Sequence, residues 1–174
     1  VEERLEDQNL LEVNRFDIEA SVLGAFAETE DVVAIATAEE IIAEIITPEM
    51  SEFEKVKAIH DYIVMNFDYD YENVQADTIP ATSYTAEGVL STSRGVSAGY
   101  AKTFELLCKC AGIETDYIVG TTKDGLQIWN QVKVDEQWYN IDVSMNDPFE
   151  EGKVFDFHLN NHYSYFLLSD GDIS

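Results

Sequence analysis

The chain has 174 residues, with 10 Lys plus Arg against 35 Asp plus Glu and a formal net charge of −25. That length supports one domain with a sizeable core, and 45% apolar residues with nine Tyr, nine Phe and two Trp exclude a disordered composition. So acidic a surface repels phosphate backbones and anionic lipids, which argues against nucleic acid and membrane-surface partners, and no apolar run reaches the roughly 18 residues that a spanning helix needs.

In chain order, residues 1–36 read as an acidic helical leader in which Val32, Val33, Ile35 and Ala36 pack, and 37–174 read as the domain proper. Ile41, Ile42, Ile45 and Ile46 recur at helical spacing until Thr47-Pro48 stops them. Ser51-Glu52-Phe53-Glu54 is a capping-box pattern. It predicts a helix with Phe53, Val56, Ile59, His60, Ile63 and Val64 on its apolar flank, ending near Asn66. Residues 67–94 read as a long irregular connection. Within it, Asp68-Tyr69-Asp70-Tyr71-Glu72 invites a calcium loop, but an EF-hand starting at Asp68 needs glycine and glutamate where Asn73 and Ile79 stand. The run reads instead as a solvated acidic turn.

A helix from Ser97 to Ala111 follows, closed by Gly112 at the position after the cap. Tyr100, Ala101, Phe104, Leu107, Cys108 and Ala111 share one arc, and Lys102, Glu105 and Lys109 lie opposite. Ser97 falls inside the apolar arc, so the start of its helix faces the protein body. Cys108 and Cys110 point about 200° apart, so they suit neither a mutual disulfide nor, as two ligands, a metal site. No metal or cofactor is expected; Cys108 packs, and Cys110 is partly exposed. Strands are expected at 113–119, 126–134 and 137–143, the last two joined by a tight hairpin at Asp135-Glu136. That register sets Trp129 opposite Asp142, with Gln127 its diagonal neighbour on the same face. Ile128, Val132, Val134, Tyr139, Ile141 and Val143 line the other face as core. Gln127 and Asp142 therefore come within side-chain reach.

Three of these segments carry a resemblance. Gly95-Val96-Ser97-Ala98-Gly99-Tyr100-Ala101 resembles Gly-Val-Cys-x-Gly-Tyr-Ala, Gln127-Ile128-Trp129-Asn130-Gln131-Val132 resembles His-Ala-Trp-Asn-x-Val, and Trp138-Tyr139-Asn140-Ile141-Asp142-Val143-Ser144 resembles Trp-Tyr-x-Val-Asp-x-Thr. Together they resemble the transglutaminase-like superfamily, which has the papain-type cysteine-peptidase core. The similarity covers roughly residues 51–170, with His60-Asp61-Tyr62 and the stretch 165–170 contributing less specifically. It implies an α+β fold in which the nucleophile-position helix packs on an antiparallel sheet, with an extra N-terminal helical region. It also implies that the nucleophile position falls on Ser97, the base on Gln127 and the orienting acid on Asp142, so that only the acid is retained. Trp129, Asn130 and Tyr100 are the candidate ligand-binding residues.

The two departures decide the chemistry. A cysteine nucleophile works because histidine takes its proton and a helix N-terminus favours the thiolate. Serine needs a base still more, and a glutamine side chain accepts hydrogen bonds but no proton at useful pH. The histidines are His60, on the apolar flank of its helix, and His158 and His162, in a polar segment near the C-terminus; no spacing directs any of them to Ser97. An engineered trap would account for Ser97 but not for Gln127. The Gln127 amide can still donate to Asp142 where an imidazole N–H would. The expectation is a catalytically inactive domain that binds a peptide or protein in the old cleft, or serves as a structural module, within a larger protein. The resemblance implies a bacterial, extracellular or cell-surface setting. The alternative is a thiol-type acyl transferase or peptidase, present as an inactivated variant or with weak residual activity.

Overall fold

The computed structural model describes residues 32–122, 125–147 and 163–170. The leader over 1–31 and the candidates His158 and His162 lie outside the described residues. Helix α1 (Val32–Ile45) presents Ala34, Ala38 and Ile41 to the core at helical spacing. It runs across residue 36, but of the four residues expected to pack there only Ile35 lies against the core: Val32, Val33 and Ala36 are on the exposed side of the helix, and Ala34 and Ala38 fill the inward positions instead. Helix α2 (Glu52–Asn66) begins on the expected capping box. The Ser51 N–H donates to Glu54 Oε2 at 2.8 Å, and the Glu54 N–H donates to Ser51 Oγ at 3.3 Å. Val56, Ile59, His60, Ile63 and Val64 are buried, but Phe53 is not part of that core. It stands in the first turn, 46% exposed, with its ring edge-on to Phe166.

Residues 67–94 depart most from expectation. They form strand β1 (Asp68–Tyr69), helix α3 (Tyr71–Ala76), a 3-10 turn (Ala81–Tyr84), helix α4 (Ala86–Thr92) and strand β2 (Arg94–Gly95). β1 and β2 pair in parallel, Asp68 with Arg94 and Tyr69 with Gly95. Asp70 is 1% exposed and is no solvated turn residue. Its carboxylate accepts from Ser83 Oγ at 2.6 Å and Asn73 Nδ2 at 2.8 Å, with the Arg94 guanidinium 4.0 Å away. A buried carboxylate persists only with such partners, and here it pins the segment ahead of the next helix.

Helix α5 (Ser97–Cys110) is central. Ala98 to Ala101, Thr103, Phe104 and Leu106 to Cys108 are buried, so the burial is wider than one apolar arc. The helix is packed by α1, α2, α4, the 3-10 turn and the sheet. Gly112 follows its cap with φ +74°, the left-handed conformation that glycine adopts freely. Cys108 is buried and Cys110 half-buried, and neither is in a disulfide.

Strands β3 (Thr115–Thr122), β4 (Gly125–Val134) and β5 (Gln137–Ile141) form an antiparallel sheet in that order. Asn130 pairs with Ile141 and Val132 with Tyr139, the expected register. Asp135 and Glu136 both have positive φ, as a two-residue hairpin turn requires. Ile128, Asn130, Val132 and Val134 turn inward against α5, while Gln127, Trp129 and Gln131 alternate with them. Residues 163–170 close the edge of the sheet: the Asn140 and Leu168 backbones exchange two hydrogen bonds of 2.8 Å.

Candidate functional site

Asp142 follows directly on β5 and is 4% exposed. Oδ2 accepts from Gln127 Nε2 at 2.7 Å. Oδ1 accepts from Ser144 Oγ at 2.7 Å and from the Met145 N–H at 3.1 Å. Gln127 Nε2 also reaches Ser144 Oγ at 3.2 Å. A carboxylate offers only acceptors, so the amide NH2 group of Gln127 must face it, leaving Oε1 directed elsewhere. Burial pushes the Asp142 carboxyl above the usual range, opposed by the hydrogen bonds from Gln127, Ser144 and Met145.

Ser97 is the first residue of α5 and is half-buried. Among the described residues its hydroxyl has no hydrogen bond to Gln127. Tyr69 stands close to this helix start, its phenol near the Ser97 backbone and within electrostatic reach of Asp142. Burial first, and then the Asp142 charge, hold that phenol above its usual range. Tyr69 also packs with Ile79, Tyr84, Tyr117 and Val119 against Val96, Ala98, Ala101 and Ile128. A partly buried aromatic wall thus flanks the helix start.

Chemically, the groups at the site are hydrogen-bond donors and acceptors. Ser97 offers one hydroxyl, Gln127 one amide oxygen and the α5 start the first-turn N–H groups that have no acceptor within the helix. Among the described residues, the Gln127 amide stands where the superfamily motif has its base, and an amide takes no proton at useful pH. His60 is fully buried with both ring nitrogens engaged, Nδ1 at 3.0 Å from Asp61 Oδ1 and Nε2 at 3.1 Å from Asn146 Nδ2.

The sequence pattern of the transglutaminase-like superfamily matches residues 39–143, which take in Ser97, Gln127 and Asp142. The chain belongs to the transglutaminase-like superfamily. Kyphoscoliosis peptidase of Mus musculus is 26% identical over 140 residues and that of Homo sapiens 24% over 141. Each alignment covers 74% of this chain and 21% of the relative, so the chain spans about a fifth of the length of these curated relatives. Among solved structures, a TGase superimposes with a TM-score of 0.58 at 16% identity, over 81% of this chain and 40% of the other. A structure described as a cysteine protease from Cytophaga hutchinsonii gives 0.52 at 16% identity, over 71% and 42%. At such identities these two establish the shared α+β fold.

Two of the expected ligand-binding residues of this transglutaminase-like domain are spent inside it. Tyr100 is 1% exposed, and its hydroxyl donates to Asp147 Oδ2. Asn130 is 1% exposed, and its Nδ2 donates to the Ala101 carbonyl at 3.1 Å, fastening the sheet to α5. Trp129 is half-buried, and its Nε1 donates to Asn140 Oδ1 at 3.1 Å, the diagonal neighbour across the hairpin, rather than turning to Asp142. Its ring covers Gly120, where a Cβ would stand 2.4 Å from the indole. Tyr69, Ser144 and Asn140 are site residues that pattern reading misses.

Asp147 supplies a pH test of this region. Burial, with the Asp68 charge adding to it, pushes its carboxyl up to about 6 against the hydrogen bond from Tyr100. A raised folded-state value favours folding below the unfolded value of 3.8, and that contribution is lost as pH climbs through about 6. Asp147→Asn is expected to gain stability relative to wild type across that window, by up to about 3 kcal/mol, with no further change above it. Urea unfolding of both proteins at a series of pH values measures the difference.

Proposed function

We propose that this transglutaminase-like domain is catalytically inactive and binds an extended peptide or protein segment in the cleft at the α5 start. The observation that carries the reading is the Gln127 amide hydrogen-bonded to Asp142 at 2.7 Å, with Ser97 on the nearby helix start. In the superfamily motif these positions correspond to base, acid and nucleophile. An amide in the base position orients on the acid as an imidazole would, yet takes no proton. The frame for acyl transfer is kept without a means to activate the hydroxyl.

Binding follows from the same groups. Ser97 Oγ and Gln127 Oε1 suit a peptide's N–H and C=O groups, and Tyr69, Tyr84 and Tyr117 give aromatic surface beside them. The extracellular or cell-surface setting within a larger bacterial protein belongs to this proposal, and fractionation of the source cells tests it. A peptide array probed with the purified domain tests the binding role. Bound peptides are expected, with affinity reduced at least about tenfold by Tyr84→Ala. An array without hits, or hits indifferent to Tyr84→Ala and Tyr117→Ala, would leave an architectural module as the better account.

A further inference from the structure

Asn146 is 1% exposed in the turn that follows Asp142. Its backbone N–H donates to the Asp142 and Val143 carbonyls, at 3.3 and 3.2 Å. Its Oδ1 accepts the Tyr165 backbone N–H at 2.9 Å, and its Nδ2 lies 3.1 Å from His60 Nε2. A backbone N–H can only donate, so the amide oxygen faces Tyr165 and the NH2 group faces the imidazole. His60 Nε2 therefore accepts, and Nδ1 carries the ring proton toward Asp61. These contacts fit the neutral ring in that one tautomer.

We infer that the His60–Asn146 pair is an acid-released latch, which holds residues 163–170 on the Asp142 turn while His60 is neutral and lets them go when it is protonated. A proton on Nε2 sets two donors against each other. Rotating the Asn146 amide satisfies the ring but points NH2 at the Tyr165 N–H. Either way one of the two buried hydrogen bonds is lost.

The segment at stake is tied to the site at several points. The Tyr165 carbonyl accepts the Asp142 N–H at 3.0 Å, Leu168 pairs with Asn140, and Asp170 Oδ1 accepts from Asn140 Nδ2 at 2.8 Å. Tyr163 and Phe166 place their rings 5.3 and 5.0 Å from the imidazole. Among the described residues, the charged groups beside His60 on α2 are Asp61 and Lys57, joined to each other at 2.5 Å and both bonded to the Tyr163 hydroxyl. Burial pushes the Asp61 carboxyl up, but hydrogen bonds from His60, Lys57 and Tyr163 hold it below the usual range, so it keeps its charge as pH falls. The turn adds Asp142 and Asp147. Packed on α2, α5 brings the Tyr100 phenol and the Cys108 thiol, both held protonated by burial, and α1 brings Ala34, Ala38 and Ile41. The acid-sensitive contact is therefore the Nε2 side. None of this rests on the cleft being inactive.

Nuclear magnetic resonance on the 15N-labelled chain tests the latch. At about pH 7.5 the His60 nitrogen shifts should report a proton on Nδ1 and a lone pair on Nε2. Between about pH 7.5 and about 5.5, protection of the Tyr165 amide, corrected for intrinsic exchange, should fall about tenfold relative to that of Val132. In Asn146→Asp a carboxylate oxygen can accept from the imidazolium, so the acid-induced loss should disappear. A proton on Nε2 at the higher pH, Tyr165 protection that tracks Val132 throughout, or a loss that persists in Asn146→Asp would each overturn the latch. If that variant does not fold, the two wild-type readings decide.

Discussion

Gly99→Ala is expected to destabilise the domain by about 3 kcal/mol, although alanine is the better helix former by up to about 1 kcal/mol. A Cβ on Gly99 would lie 2.3 Å from the Ser83 carbonyl oxygen and 2.7 Å from Val89 Cγ2. The first of these is backbone and cannot swing aside. That carbonyl accepts the Val96 N–H at 2.9 Å, immediately before α5, while the Ser83 hydroxyl donates to the buried Asp70. One methyl group thus displaces the contact that sets the helix entry and loosens the 2.6 Å hydroxyl bond to Asp70. The steric term exceeds the propensity gain because three elements meet there with no slack. A thermal midpoint lowered by about 6–12 °C is the expected reading. An unchanged midpoint would mean that the 3-10 turn can retreat from α5 at little cost.

Ser97→Cys combined with Gln127→His is expected to create reactivity that neither substitution gives alone. An imidazole at 127 can donate one N–H to Asp142, which already holds the amide at 2.7 Å, and turn its other nitrogen toward the helix start. A thiol at 97 then has a base and the α5 N-terminus to favour its thiolate. The single variants supply a nucleophile without a base or a base with a poor nucleophile, so the effects are non-additive. The alkylation rate with iodoacetamide at about pH 6 reads the thiolate without needing a substrate. It should rise at least about tenfold in the double variant over Ser97→Cys, with ester or amide turnover up by about 10³-fold. Equal rates would show that positions 97 and 127 do not address each other.

Much of this geometry is legible in the sequence, for identifiable reasons. A strand has a side-chain period of two, and the Asp135-Glu136 turn fixes the hairpin register. The Gln127–Asp142 contact follows from those two facts. The same register continued beyond β5 sets Ser144 opposite Gln127, a signal that was there to find. The capping box and Gly112 mark their helix ends locally. Residues 67–94 are hard to read because their order is non-local. Asp70 looks solvated until Ser83 and Arg94 are brought to it, and β1 is only two residues long. Tyr100 and Asn130 lie within recognisable motifs, yet each uses its polar atoms to fasten α5. A motif marks what the fold needs as readily as what a ligand touches. Tyr69 gives no sequence signal, since only the β1–β2 pairing carries its ring to Ser97.

The most direct measurement is turnover by the unaltered protein. Peptide-amide hydrolysis and amine incorporation into glutamine peptides should be compared for wild type and Ser97→Ala, with folding of both confirmed by their thermal transitions. The account predicts equal rates at the uncatalysed background. Turnover in the wild type that Ser97→Ala abolishes would contradict it, because Ser97 would then be an activated nucleophile.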